Sequence, residues 1–472
     1  MGRETLIRLS SADLANQFMA IAKCCLVAAI LFLSNQFYLA DVEAADEPEA
    51  EETALQLSIE LDQQRSRYDE QIASLESEFG PFDRTLLEPL QGLATLLIEI
   101  GDFTQADGIL NRRLQLLRTL EGPANLSQIA DVGAMISNDI RREDWQSVTD
   151  RFDYLHWLQT QNPDVDTTTR LKAMNDLSAW HLTSIYVDQP RARIRHFLSS
   201  RQLQRDMISL AEEEFGEESE ALIPWLYRYA VEQHRIFAFL LSEDELGVDA
   251  KDHIFGFEAR QPNNYLREGL DIVKRIRKIV GATGNVEAEA MAMIYVADFQ
   301  MLLDLGTAAS LYRSAKEKLA EAGIEEERIE AFFARPVVLP ELQFHQSLDV
   351  ALAQQSGYGY TVVPAEGDND VVVHMGDFIA WSESLPFARR PLIPEQASTV
   401  STELDVVELR FTINSRGTTR NPRAQTADPD TARLKRDAQD AVKKMQFRPK
   451  FVQRRWRRIE NVTMRYIVPP PF

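Results

Sequence analysis

Apolar residues recur at three- and four-residue spacing through most of the chain, and this pattern predicts a succession of amphipathic helices. Residues 84–100 read "RTLLEPLQGLATLLIEI", and residues 108–122 read "GILNRRLQLLRTLEG". Both stretches have helical periodicity. Between them lies "GDFTQAD", in which Gly101 permits a turn. We therefore expect two helices that pack as a hairpin.

The same unit recurs along the chain. The stretch "EFGPFDRTLLEPL" at 78–90 is echoed by "EFGEESEALIPWL" at 214–226, and Gly80 and Gly122 lie 42 residues apart. Periods of about 34–47 residues indicate stacked helical hairpins. The sequence thus predicts an all-α solenoid over residues 54–332, with its apolar stripes forming the core.

One of these turns carries a recognisable motif. Leu97, Gly101, Asp102, Phe103 and Ala106 form Leu-x-x-x-Gly-Asp-Phe-x-x-Ala. This pattern resembles the tetratricopeptide-repeat family, especially its 42-residue variety. The resemblance implies a tetratricopeptide-like solenoid whose concave surface binds a peptide or a protein, and it does not imply a reaction.

The pattern changes after the last repeat. Residues 333–402 are rich in Pro and in β-branched side chains, and "DVVVHMGDFIAWSESLP" at 370–386 alternates enough to suggest one or two strands. We interpret this region as a Pro-rich connector that packs along the last repeats.

Period-two alternation marks the start of the C-terminal region, residues 403–472. Val407, Leu409, Phe411 and Ile413 alternate with polar residues and predict a half-buried strand. The stretch "NSRG" at 414–417 predicts a turn. The next stretch contains a proline and is expected to form a weak or edge strand.

A helix and two more strands are expected to complete this region. Asp428 is a good helix N-cap with Pro429 in the first turn, and an apolar face follows. The helix ends at Phe447-Arg448-Pro449, and Phe447 is expected to fill the helix–sheet core. The remaining strands are "KFVQRRWRR" at 450–458 and a last strand in which Val462, Met464, Tyr466 and Val468 alternate with polar residues.

The order strand, strand, helix, strand, strand resembles the TonB C-terminal domain. The matching pieces are Val-x-Leu-x-Phe-x-Ile-x-x-x-Gly at 407–417 and Ala-Val-x-x-x-x-Phe-x-Pro at 441–449. The resemblance implies a small α+β domain of the Gram-negative periplasm. It implies that a short segment of an outer-membrane receptor adds as a strand to the sheet edge. Carried onto this chain, the peptide-binding strand candidate consists of Val462, Thr463, Met464, Arg465, Tyr466, Ile467 and Val468.

The first 44 residues are typical of an export segment. Lys23 precedes an apolar run of about ten residues, and the chain turns acidic beyond Val42-Glu43-Ala44. Cleavage would leave a periplasmic protein without cysteine, because Cys24 and Cys25 both lie in this segment. The alternative is an uncleaved anchor in the inner membrane, with the rest of the chain facing the periplasm. An acidic spacer at 45–53 follows in either case.

Charge is unevenly divided. Residues 401–472 carry 16 basic and 8 acidic side chains, whereas residues 45–400 carry 32 and 61. This asymmetry predicts that the basic C-terminal region docks on the acidic repeats, and more loosely as salt rises. The basic stretch "RRWRR" at 454–458 is expected to face the acidic repeats or anionic polymers of the envelope, and it is not interpreted as a nucleic-acid site.

No catalytic, cofactor or metal motif emerges from the sequence. The sequence therefore predicts a multidomain, non-catalytic adaptor that binds envelope proteins through its repeats and its TonB-like domain. The alternative is a membrane-anchored TonB-like energy transducer for outer-membrane receptor-mediated transport.

Overall fold

The protein is described by a computed structural model that covers residues 47–188, 190–241, 260–364, 371–379, 405–452 and 455–468. The chain divides into two units, Met1–Ala73 and Ser74–Phe472. In the first unit, the described residues form the start of helix α1 (Glu47–Phe79), so the predicted acidic spacer is helical from Glu47 onward. The predicted export segment lies outside the described residues. Among those that are described, no helix combines the length and the hydropathy that a membrane crossing requires.

The second unit begins with an array of helices, most of which pack against the next helix along the chain. The helices are α2 (Leu87–Glu99), α3 (Phe103–Glu121), α4 (Ile129–Arg141), α5 (Trp145–Gln161), α6 (Thr167–Val187), α7 (Pro190–Phe215), α8 (Ile223–Leu241), α9 (Asn263–Thr283), α10 (Val286–Leu302), α11 (Ala308–Glu321) and α12 (Glu326–Ala334). The predicted all-α repeat region is therefore present.

A local signal repeats where three of these pairs begin. A glycine with positive φ ends one helix, and a polar residue three positions later caps a short 3-10 turn that leads into the next helix. The glycines are Gly80, Gly122 and Gly216, and the capping residues are Asp83, Asn125 and Ser219. Within a pair, Asp102 caps α3 by accepting a hydrogen bond from the Gln105 backbone N–H at 3.1 Å. The helix boundaries are thus encoded locally.

The C-terminal part is rich in strands. The elements are β1 (Val337–Leu339), α13 (Leu348–Gly357), β2 (Thr361–Pro364), β3 (Val371–Ile379), β4 (Asp405–Ile413), β5 (Thr419–Asp428), α14 (Ala432–Lys444), β6 (Gln446–Arg448), β7 (Lys450–Val452), β8 (Arg455–Arg457) and β9 (Ile459–Val468). Five strands form one sheet in the order β2-β3-β9-β4-β5, and the pairs β1-β6 and β7-β8 form two smaller sheets.

The half-buried strand predicted from alternation is confirmed. Val407, Leu409, Phe411 and Ile413 are all buried beneath α14, and β5 forms an outer strand of the sheet as its proline suggested. Gly417 adopts a φ of +80°, and a Cβ there would lie 2.0 Å from the Phe447 carbonyl oxygen. Glycine is therefore required at this turn.

Three details differ from the sequence predictions. Asp428 ends β5, and Thr431 caps α14 instead by accepting from the Leu434 backbone N–H at 3.2 Å. The single strand expected at 450–458 is the hairpin β7-β8. The connector contributes β2 and β3 to the same sheet as β4, β5 and β9, so the sheet crosses the boundary predicted near residue 403. The C-terminal half of the predicted connector strands, beyond residue 379, lies outside the described residues.

Candidate functional site

The predicted peptide-binding strand lies in the interior of the sheet. β9 pairs with β4 in antiparallel register, with Met464 opposite Leu409, and with β3 in parallel register, with Val462 opposite Val373. Val462, Met464 and Tyr466 are buried in the sheet core. Because both edges of β9 are covered by strands of the same chain, the expectation that residues 462–468 offer an open edge is contradicted. The covering strand β3 comes from the region interpreted as a connector.

Side-chain contacts reinforce the β3–β9 pairing. Arg465 donates to Asp377 at 2.7 Å, and the rings of Phe378 and Tyr466 stack at 6.0 Å between centroids. Thr463 contacts the Nδ1 atom of His374 at 2.5 Å. The candidate strand thus serves the fold of the sheet.

A buried charge cluster joins the helices to the C-terminal strands. Arg448 at the end of β6 donates from Nε to Asp298 Oδ1 at 2.9 Å and from a terminal nitrogen to Glu341 Oε1 at 2.7 Å. Asp298 lies on α10, and both it and Arg448 are about 1% exposed. Tyr312 on α11 donates to Asp298 as well. We call Arg448, Asp298, Glu341 and Tyr312 the seam cluster.

Ion pairs hold the seam cluster together, although burial removes water from its charged groups. Burial alone would lower the pKa of Arg448, but Asp298 and Glu341 outweigh it and raise that pKa well above its ordinary value. Burial raises the pKa of Glu341, although Arg448 opposes this. The cluster is therefore stable only while its positive and negative members remain together.

Apolar packing surrounds the seam cluster. Phe447 faces the sheet core, where it lies 5.6 Å from Phe411, as the sequence predicted. Phe451 points the other way, into the helical core, and contacts Phe333 and Trp456. The C-terminal strands are thus docked through buried side chains, and not through the surface charge asymmetry alone. Sequence reasoning missed Arg448 as a docking residue, because its partner Asp298 lies 150 positions away.

A cavity of about 540 Å³ lies beside this seam, between the helical array and the sheet. We call it the junction cleft. It is lined by residues of α6 and α8, by the segment 336–343 that includes β1, by the end of α13, and by β3 and β9. The side chains in this lining that can hydrogen-bond, form ion pairs or pack against a ligand include Arg228, Glu232, Arg235, Gln354, Gln355, Tyr358, Tyr360, Met375 and Phe378. A cavity of this size with aromatic walls and a few polar groups is typical of a ligand or peptide site.

Most charges in the junction cleft are already paired. Arg235 contacts Glu232 at 2.5 Å, Glu341 contacts Arg448, and Asp377 contacts Arg465 at 2.7 Å. Arg228 differs: its guanidinium lies 5.4 Å from the Trp225 ring centroid, and it makes no hydrogen bond or ion pair with any described residue. Burial raises the pKa of Asp176, and Arg228 is close enough to oppose this rise electrostatically.

The described residues hold no group of three or more His, Cys, Asp or Glu side chains arranged to bind a metal ion. The polar groups of the junction cleft are suited to hydrogen bonding and ion pairing.

Comparison with known proteins gives structural neighbours only. No protein-family model and no curated protein sequence matches the chain. A proposed kinesin light chain from Podosopora anserina with nearly identical TPR-like repeats is 10% identical, with coverage of 49% of this chain and 92% of that chain and a TM-score of 0.29. BtubC (BKLC) from P. vanneervenii is 12% identical, with coverage of 56% and 93% and a TM-score of 0.27.

Proposed function

We propose that the protein is a non-catalytic scaffold that holds a partner polypeptide in the junction cleft. The observation that carries this proposal is the cleft itself, where helices of the repeat array and strands of the C-terminal part meet around about 540 Å³ of space. Aromatic side chains supply contact area there, and arginine and glutamine side chains supply hydrogen bonds. Repeat arrays provide such binding surfaces in general.

We further propose that residues 403–472 form a TonB-like module and that the protein acts in the periplasm. The order of β4, β5, α14 and β9, together with the buried Phe447, supports the first part. The apolar segment within residues 1–44 supports the second. N-terminal sequencing of the mature chain distinguishes this adaptor from an anchored energy transducer: a start at Ala45 supports the adaptor, and an intact N-terminus supports the anchored form.

Photocrosslinking in the cells that make the protein tests the scaffold proposal. Tyr358 lines the junction cleft and is 49% exposed, so a photoreactive phenylalanine can replace it without loss of packing. Phe82, which is 62% exposed and outside the cleft, provides a matched aromatic control. The proposal predicts a discrete crosslinked polypeptide from position 358 and far less of it from position 82. Equal yields at both positions, or none at 358, would contradict it.

A further inference from the structure

Strand β1 is paired on one side only. Its three residues face β6 in antiparallel register, with Val338 opposite Phe447, and these two strands form a sheet of their own. No described strand pairs with the other edge of β1. An unpaired edge presents backbone N–H and C=O groups that can receive another strand.

The hydrogen bonding of Phe447 fixes the direction of the Val338 backbone. The Phe447 N–H donates to the Gly417 carbonyl oxygen at 2.8 Å, on the side of β6 away from β1. In an antiparallel pair, residues that do not exchange hydrogen bonds direct both backbone groups outward. The N–H and C=O of Val338 therefore point away from β6, and Val338 forms no hydrogen bond with another described residue.

The sequence around β1 fits an edge of this kind. Pro336 and Pro340 directly flank the three residues of β1, and neither has an N–H, so no further donor lies next to the strand at either end. Within β1, the outer edge thus offers one N–H donor and one C=O acceptor, both from Val338. A short extended partner can pair with this edge, whereas the flanking prolines disfavour pairing with a long strand.

This edge borders the junction cleft. Pro336, Val337, Val338 and Pro340 all line it. The Val338 side chain packs in the sheet core, which leaves its backbone as the group presented sideways to the cleft. The cleft has room for a few residues of extended chain beside β1.

The charges of the cleft determine which chain fits. The carboxylates of Glu232, Glu341 and Asp377 are each bound to an arginine of the protein. Arg228 is exposed in the cleft and forms no ion pair or hydrogen bond with a described residue; Asp176 acts on it only through a longer-range electrostatic interaction. An incoming carboxylate can form a charge-assisted hydrogen bond with its guanidinium.

We propose that the outer edge of β1 receives an extended segment of the partner protein and that Arg228 binds a carboxylate of that segment. This inference rests on the scaffold function proposed above and specifies its mode of recognition. The segment adds as a short strand through the Val338 N–H and C=O, and its carboxylate belongs to an acidic side chain or to its C-terminus.

Fluorescence polarisation with the full chain tests the carboxylate. The probe is a library of pentapeptides that alternate Thr and Val around one Asp. Each peptide carries the fluorescent label on its N-terminus and has an amidated C-terminus. Its twins carry Asn in place of Asp, with either an amidated or a free C-terminus. We expect one carboxylate form to bind about tenfold more tightly than the fully neutral twin. Comparing the Asp peptide with the Asn peptide that has a free C-terminus shows whether the carboxylate comes from a side chain or from the C-terminus.

Two arginine variants provide the matched controls. Arg228→Gln should abolish the preference for the carboxylate. Arg433→Gln should keep it, because Arg433 is exposed on α14, where it lies 3.6 Å from Asp437. Equal binding of charged and neutral peptides by the wild type, or an unchanged preference in Arg228→Gln, would overturn the role of Arg228.

Backbone N-methylation of the same peptides tests strand addition. Methylation of the peptide N–H groups that face Val338 should abolish binding. Methylation of the N–H groups at the alternate positions, which face away from Val338, should change the affinity by no more than about twofold. Tolerance in both phases, or absence of saturable binding up to about 1 mM, would overturn the strand mode. If strand addition fails this test, a partner crosslinked at position 358 would still support the scaffold function. If peptide binding depends on the methylated position but no partner is crosslinked, the scaffold function is contradicted and strand addition is not.

Discussion

Buried carboxylates have partly exposed arginine partners in the repeats and a fully buried arginine partner in the seam. In the repeats, Asp139 is buried but its partners Arg142 and Arg151 remain about a fifth to a quarter exposed, at 3.1 and 3.6 Å. In the seam, Arg448 and Asp298 are both about 1% exposed. Water can compensate a lost partner in the repeats but not in the seam. The seam therefore makes the position of the C-terminal strands depend strongly on a few contacts.

The largest expected effect comes from Arg448→Met. This change leaves Asp298 and Glu341 buried without a cation, so we expect the free energy of unfolding to fall by about 4 kcal/mol. Denaturant titration at pH 7 measures it. Arg142→Met, in the repeats, should cost about 1 kcal/mol because its carboxylate partners retain Arg151 and water. Equal costs for the two variants would abolish the distinction between the two regions.

Phe451→Ala should have the next largest effect. Phe451 is fully buried in the helical core although it belongs to a C-terminal strand, so truncation leaves a cavity and weakens the docking. We expect a loss of about 3 kcal/mol in the same titration. Phe82→Ala removes an exposed ring and should change stability by less than about 0.5 kcal/mol. A similarly small effect of Phe451→Ala would show that the strands are not docked through this ring.

A smaller effect is expected from pH in the repeats. Burial raises the pKa of Asp139 to about 6, despite the opposing effect of Arg151. Because the folded state binds this proton more tightly than the unfolded state, the contribution is fully present below about pH 4 and is lost as pH rises through about 6. Asp139→Asn should remove this dependence, with a difference on the order of 1 kcal/mol after solvent screening.

The control for that measurement is Asp271→Asn, which changes an exposed carboxylate that lies 2.8 Å from Lys274. Comparing variant with wild type cancels the buried histidines, such as His181, whose pKa is lowered to about 4 by burial. Their contribution has the opposite sign, since it is present above about pH 6.5 and is lost as pH falls. A stability difference for Asp139→Asn that does not change between pH 4 and 7 would contradict this assignment.

The smallest expected effect is that of salt on the seam. A dock made of surface charges would loosen as the Debye length falls from about 14 Å at 0.05 M to about 4 Å at 0.5 M salt. The seam cluster and Phe451 are buried and are poorly screened, so the radius of gyration in small-angle scattering should stay constant. This differs from the docking by surface charge that the sequence predicted. An increase in the radius of gyration with salt would support docking by surface charge.

The parts that sequence predicted well depend on local signals. The helix pairs follow from periodicity and from positions such as Gly80 and Asp102, and strand β4 follows from its alternation. The parts that it missed depend on distant contacts. β3 lies 89 positions before its partner in β9 at the His374–Thr463 contact, and no local pattern indicates that it covers this strand. For the same reason the junction cleft, which gathers residues from α6 to β9, could not be predicted.

Hydrogen–deuterium exchange with the crosslinked partner, purified and added to the full chain, tests the central claim most directly. If the junction cleft is the binding site, partner binding should slow exchange in residues 336–343 and 354–360, while residues 87–141 remain unchanged. Slower exchange confined to residues 87–141, with none in the cleft segments, would place the partner on the first repeats and contradict the account.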